Sequence, residues 1–398
     1  LRRAAIVSPL RTPIGAFGGA LRSLTADQLA VHVIRSLLDR TGLDGARIDE
    51  VIVAQSYASS EAPCMGRYAA LAAGLPIEVP GYTLDRRCGS GLQAVIEGSM
   101  MIQTGAADVV LVAGVESMSN IEYYTTDTRW GARSGSVTLH DRLQRGRERS
   151  QPVERFGVIS GMPQTAENLA REFGISREES DLYSVRSHQR AGAAWRAGRF
   201  AGEVVPIPVP QKKGEALMFG HDEGIREESS VATLGRLKPI LPGGTVTAGN
   251  SSQQNDAAAA CLVVAEDRLA ALGLEPMAFL EGWAAAGCDP ATMGIGPVPA
   301  VRKLFARTAM TFDRVDLVEL NEAFAAQVLA VLKAWDWHDP GRLNVNGSGI
   351  SLGHPIGATG LRILTTMLHE LQRRKGRYAL ETMCIGGGQG LAALFTRQ

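Results

Sequence analysis

Cys88 sits in DRRCGSG, just ahead of SGLQAVIEGSMMIQTG, where apolar residues recur at helical spacing up to a glycine stop. A thiol at a helix start feels the positive end of the helix dipole and unpaired backbone N–H groups, and both favour thiolate. Gly89 and Gly91 permit close approach to the backbone. The setting suits a nucleophile; a buried structural cysteine is the ordinary alternative. His354 lies in NGSGISLGHPIGATG, with glycines on both sides and Pro355 fixing the chain after it. A histidine on a rigid glycine-rich loop is poorly suited to fill a core and well suited to act as a base, with a surface loop histidine as the alternative. Cys384 precedes the glycine run of CIGGGQG, whose backbone N–H groups could receive an oxyanion; the plainer reading is a strand-end cysteine beside a turn. Asn321 and Glu322 follow VDLVEL and are either helix caps or residues aimed into a site at the carboxyl ends of strands. TAGNSSQQNDAAAA, from Thr247, is either a capped turn or one wall of a groove.

The elements that must hold these residues repeat. Residues 48–54 and 108–113 are short apolar runs, as buried strands should be, with the Cys88 helix between them. Residues 315–320 and 378–384 are a second such pair, with GATGLRILTTMLHELQRRKG between them. Cys88 aligns with Gly357 and Val109 with Tyr378, both at an offset of 269, and Asp49 aligns with Asp316 at 267. Three segments at nearly one offset predict two similar α/β halves, each built on a mostly parallel sheet. The His354 loop then stands in the second half where Cys88 stands in the first. Residues 121–246 differ: charge and proline rise and strand periodicity fades. Within them TAENLAREFGISREESDLYSVRSHQRAGAAW predicts helix, turn, helix, with Ser176 capping ahead of Glu179.

Composition narrows the function. At 398 residues and 45% hydrophobic content, the chain is long enough for two or three domains. Lys plus Arg and Asp plus Glu are both 41, so no global field points to nucleic acid or to a membrane surface. There is no apolar run of about 18 residues and no leader pattern. The five cysteines, Cys64, Cys88, Cys261, Cys288 and Cys384, are widely spaced and form no CxxC. That argues against a disulfide framework or a zinc site and for a reducing compartment, the cytoplasm.

In this order and at these separations, CGSGLQA, TAENLA, TVTAGNSS, GIGPVPA, NEAFAAQ, NGSGISLGHPIGATG and CIGGGQG resemble the thiolase family over essentially the whole chain. The resemblance implies two βαβαβαββ halves stacked as an α/β/α/β/α sandwich. Residues 1–120 plus 247–268 would form the first half, 121–246 an inserted loop domain, and 269–398 the second half. It implies an acyl-CoA C-acyltransferase that joins two acetyl-CoA molecules into acetoacetyl-CoA and coenzyme A, or reverses that step. The alternatives are a degradative 3-ketoacyl-CoA thiolase with longer chains and a non-enzymatic acyl-CoA or lipid-binding relative. Residue by residue, Cys88 matches the acylated nucleophile, His354 its activator, and Cys384 the group that moves the α-proton. Asn321 matches the residue orienting a water in one oxyanion hole, and the N–H groups of Cys88 and Gly386 match a second hole. Ser252, Ala248, Met162 and Arg226 fall where the family contacts coenzyme A, and Met293 and Phe324 where it lines the acyl pocket. No metal and no cofactor are implied, coenzyme A thioesters being substrates. SMSNIEYYTTDTRWGARSG resembles the family's tetramerisation segment, which implies a homo-oligomer, dimer or tetramer. Gly161 and Pro163 beside Met162, Leu241 for a pantetheine-contacting Phe, and Ala257 in NDAA depart from the pattern and leave acyl preference open.

Overall fold

The computed structural model describes residues 1–397. The main-sheet strands are β1 (Ala4–Arg11), β2 (Glu50–Ala54), β3 (Gly81–Leu84), β4 (Val109–Ser117), β5 (Asn255–Ala265), β6 (Ala278–Gly287), β7 (Leu317–Leu320), β8 (Tyr378–Ile385) and β9 (Gln389–Thr396). Their order is β7-β8-β9-β6-β1-β5-β4-β2-β3. The helices that matter here are α1 (Ala26–Thr41), α2 (Met65–Ala73), α3 (Ser90–Thr104), α4 (Met162–Glu172), α5 (Arg177–Arg196), α6 (Pro297–Thr308), α7 (Ala325–Trp335) and α8 (Thr359–Arg374).

The repeat read in the sequence is a repeat of structure. β2 pairs in parallel with β4, and β7 with β8, at the offsets the sequence predicts. The expectation of mostly parallel sheets is corrected. Parallel pairing is confined to the outer strands, and the centre is antiparallel: β1 with β5, β5 with β4, β8 with β9, and β9 with β6. For β8 and β9 the physical reason is connection length, because so short a turn can only return the chain antiparallel. The two half-sheets also meet edge to edge, where Ala5 pairs with Phe279 and Ile6 with Ala278.

Side-chain alternation builds the layers. In β2, Val51 and Val53 face α1 and α2, while Ile52 and Ala54 face the other way, toward α3 and α8. In the second half Leu317 faces that same central pair of helices, and Val318 and Leu320 face α6 and α7. The order is helices, sheet, helices, sheet, helices, as the fold implied. The central helices cross backbone to backbone: a Cβ on Gly360 would stand 2.1 Å from the Leu92 nitrogen, and one on Gly91 2.7 Å from the Leu361 nitrogen. Only glycine fits either position.

The middle segment holds the predicted helix, turn, helix as α4 and α5. Ser176 caps α5 in a capping box with Glu179. Its helices pack onto the halves: Leu169, Ala170 and Ile175 share a cluster with Ala326 and Ala330 of α7, and Ala191 and Ala194 share one with Ile14 and Leu352. Among the described residues, no helix is long and apolar enough to cross a membrane.

Candidate active site

Cys88 lies in a short turn, Arg87–Gly89, that runs directly into α3. The turn is forced at Arg87, which takes a left-handed φ of 51°. Ser90 holds it together: its hydroxyl donates to the Arg87 carbonyl at 2.7 Å and accepts from the Arg86 N–H at 2.7 Å. The matching turn of the second half, Ile356–Ala358, runs into α8. Between the two turns stands Glu116, at the end of β4. Its buried carboxylate accepts the backbone N–H of Ser56 at 3.1 Å and of Tyr57 at 3.2 Å, and that of Gly357 at 2.9 Å. Ser56 in turn donates to the Arg87 carbonyl at 3.0 Å. One carboxylate therefore ties the Cys88 turn to the second half. Burial pushes it up to about 7, against the pull of those three donors.

His354 is oriented from both ends. Its N–H donates to Asn255 Oδ1 at 2.9 Å, and its Nδ1 lies 2.6 Å from the Thr359 hydroxyl. That hydroxyl has one proton, which it donates to the Pro355 carbonyl at 3.0 Å. It must therefore accept from Nδ1–H, and the hydrogen-bond pattern assigns the free lone pair to Nε2. Burial, and then the guanidiniums of Arg362 and Arg147, hold the imidazole down to about 3. The ring is therefore neutral near pH 7, the form whose Nε2 lone pair is free to accept a proton.

Cys88, His354 and Gly386 line one chamber of about 200 Å³, together with Met162, Met293 and Phe324. The chamber also takes Ser252, with Ser251, Gln253 and Gln254. The TAGNSSQQ segment is thus both a turn and a wall, since Ser251 Oγ also donates to the Thr247 carbonyl at 2.7 Å. The N–H groups of Gly386 and of Cys88 itself point at the Cys88 sulfur. The expectation of a thiol lowered by its helix start is corrected: burial outweighs those N–H groups, Arg87 and Arg147, and the net displacement is upward. The thiol therefore needs a base, and His354 shares its chamber.

Cys384 is fully buried behind that chamber, packed with Met293, Phe324 and Met162. Burial raises its pKa well above the ordinary thiol range, and Cys88 and Cys288 add to the rise. The glycines after it make the turn into β9: Gly388 has φ 88°, and a Cβ there would lie 2.4 Å from the Cys288 carbonyl. Asn321 is buried, with neither polar atom of its carboxamide partnered among the described residues. Glu322 is a strut, accepting from Tyr183 at 2.9 Å, Ser187 at 2.6 Å and the Ile350 N–H at 3.2 Å. Ala248 and Arg226 stand outside the chamber on the exposed surface. Leu241 lies along a separate surface cleft with Gln164 and Glu167, and Ile240 takes the chamber wall instead. Among the described residues, no group of His, Cys, Asp or Glu side chains could hold a metal ion.

Sequence reasoning missed Glu116, Thr359, Tyr57, Ile240 and Arg147. Glu116 had a visible signal, a charge ending the apolar run DVVLVAGVES. Arg147 had none, since it lies in a segment already dense in charge.

A thiol, a base and N–H donors at the junction of duplicated halves define an acyl-transfer class, and comparison with known proteins gives the family. Residues 4–267 match the family model described as "Thiolase, N-terminal domain", and residues 274–397 match "Thiolase, C-terminal domain". An acetyl-CoA acetyltransferase of Chromobacterium violaceum is 45% identical, covering 99% of each chain. The crystal structure of the Bacillus anthracis acetyl-CoA acetyltransferase superimposes with a TM-score of 0.95 at 40% identity, over 100% of this chain and 99% of that one. Human mitochondrial 3-ketoacyl-CoA thiolase in complex with CoA superimposes with a TM-score of 0.93 at 40% identity, over 100% of this chain and 98% of that one. The chain belongs to the thiolase family. It is an enzyme that carries out the thiolase reaction.

Proposed function

We propose that the chain exchanges short acyl groups between coenzyme A and Cys88, making or breaking the carbon–carbon bond between two acetyl units. The observation that supports it best is the convergence of Cys88, His354 and the Gly386 N–H on one small chamber with Cys384 directly behind it. A space of about 200 Å³ suits a short acyl chain. In the condensing direction His354 Nε2 takes the Cys88 proton, and the thiolate attacks the thioester carbonyl of acetyl-CoA. The oxyanion forms against the N–H groups of Cys88 and Gly386, worth about 3–4 kcal/mol each. Coenzyme A leaves as a thiol with the proton of Cys384, which becomes a thiolate. Cys384 then takes back a proton from the α-carbon of a second acetyl-CoA, and the enolate is held by a water on the unpartnered Asn321 amide and by the protonated His354. Its attack on the acetyl-Cys88 carbonyl forms the new bond and expels Cys88 as a thiolate, which recovers its proton from His354. Met162, Met293 and Phe324 form the acyl pocket in this reading, and Ser252, Ala248 and Arg226 carry coenzyme A out to the surface.

Incubation with labelled acetyl-CoA, followed by digestion, should place the label on Cys88 and on no other residue. Cys384→Ala should keep that label and lose exchange of the acetyl-CoA α-protons with deuterium. Exchange at the wild-type rate would sink the role given to Cys384.

The same reading extends to assembly and location. Tyr123, Trp130 and Leu139, exposed at 65%, 95% and 66%, gather apolar surface on the middle segment. A homotetramer that covers it is the proposed state, and a monomer or dimer by light scattering at micromolar concentration would refute it. Five free cysteines fit a reducing cytoplasm.

A further inference from the structure

The chamber wall carries two guanidiniums, Arg87 and Arg147, and no carboxylate. The two arginines are not equivalent. Arg87 is occupied: it donates to Ser150 Oγ at 3.1 Å, to the Tyr57 hydroxyl at 3.4 Å and to the Gly146 carbonyl. Arg147 makes no hydrogen bond and no ion pair with its side chain among the described residues, yet it is half-buried against the chamber. The carboxylate that acts on it, Asp141, is itself engaged as a helix cap, accepting the Leu143 N–H at 2.9 Å. Burial pulls the Arg147 guanidinium below its ordinary range. A cation withdrawn from water without a partner is costly, and proteins meet that cost with an anion. The anions of the transfer step already have donors in the N–H groups of Cys88 and Gly386.

We infer that the acyl group this chamber takes carries a carboxylate at its far end, and that Arg147 is the residue that receives it. This rests on the reading of Cys88 as the acylated nucleophile, and it puts a longer, charged acyl group in place of the acetyl unit on that sulfur. The substrate class is a short 3-oxo-dicarboxylyl thioester of coenzyme A. Cys88 sulfur adds to its 3-keto carbon, and the bond between C2 and C3 breaks. The departing acetyl-CoA carbanion takes a proton from Cys384. Coenzyme A then displaces the dicarboxylyl group from Cys88, and its S–H proton replaces the one consumed. The products are acetyl-CoA and a dicarboxylyl-CoA shorter by two carbons. An Arg pairs with such a carboxylate through two parallel N–H donors, a geometry that neither Lys nor an amide reproduces.

The test is thiolysis of acetoacetyl-CoA, 3-oxohexanoyl-CoA and 3-oxohexanedioyl-CoA. The last two differ only in a carboxylate for a terminal methyl, so their ratio separates charge from length. Wild-type kcat/KM should favour the dioyl substrate on the order of 100-fold. Arg147→Gln should collapse that ratio toward one, and Arg147→Lys should keep part of it. A wild-type ratio at or below one overturns the inference. So does an Arg147→Gln that slows all three substrates alike, because the guanidinium would then be serving the Cys88 thiolate or the coenzyme A phosphates. Loss of thiolysis with every substrate in the wild type would instead overturn the reading of the site itself.

Discussion

The turns ahead of α3 and α8 occupy the same place in their halves and do different work. At both, a hydroxyl sits at the helix start, Ser90 in the first and Thr359 in the second, 269 residues apart. Ser90 accepts a backbone N–H and so shapes the turn that displays a thiol. Thr359 accepts from the His354 ring and so fixes a tautomer. The position that carries Cys88 carries Gly357 in the second half, and there its N–H serves Glu116. The two turns share a near-symmetric scaffold, and in the proposed reading one seats the nucleophile and the other stands beside the base. Charge follows the same split. Glu319 and Glu381 pair across β7 and β8, fully buried, where β2 and β4 pair Ile52 with Val112.

The largest expected effect comes from breaking the division between thiol and base. His354→Ala should leave Cys88 in place and slow its acylation by about 10²–10⁴-fold. Rapid-quench measurement of acyl-enzyme formation reads this directly, and a loss under tenfold would place the base elsewhere. The charge asymmetry predicts a smaller effect, on stability. Burial pushes Glu319 up to about 8, against an ordinary value of 4.5. The folded chain then holds a proton that the unfolded chain releases, so this group's contribution is full below about pH 4.5 and is lost as pH rises toward 8. Urea titrations of Glu319→Gln should show a shallower decline, by roughly a few kcal/mol between pH 5 and 8, with the remainder coming from Glu381, which burial also raises. Equal slopes in both proteins would mean the carboxyl is already ionised. The smallest effect tests what the halves share. Gly360→Ala drives a methyl into the Leu92 backbone and should cost about 1–3 kcal/mol in thermal or urea unfolding. No change would mean that the central helices can slide apart.

The chemistry was more legible in the sequence than the scaffold. Cys88, His354, Cys384 and Asn321 stood out because reactive residue types lay among glycines and at strand ends, and Gly386 because it opens the glycine run after a strand. The parallel units were legible because β2, β4, β7 and β8 are short, uniformly apolar runs with helices between them. β1, β5 and β6 were not, because each takes its partners from distant parts of the chain and no local pattern states a partner. The chamber's polar lining was hidden for the same reason. Tyr57 and Ile240 come from two separate loops and Arg147 from a short helix, Arg142–Glu148, and only the closed fold brings them to one wall.

The seam at Ala5 and Ile6 sets an order of events at the ribosome. β1 emerges well before its neighbours β5 and β6, which span residues 255–265 and 278–287. An apolar strand must therefore wait, unpaired, through synthesis of more than half the chain, a span of roughly ten seconds or longer at cellular translation rates. During that interval AAIVSPLR is an open edge in search of a partner. Nascent chains should engage chaperones early and be released only after β6 has cleared the exit tunnel.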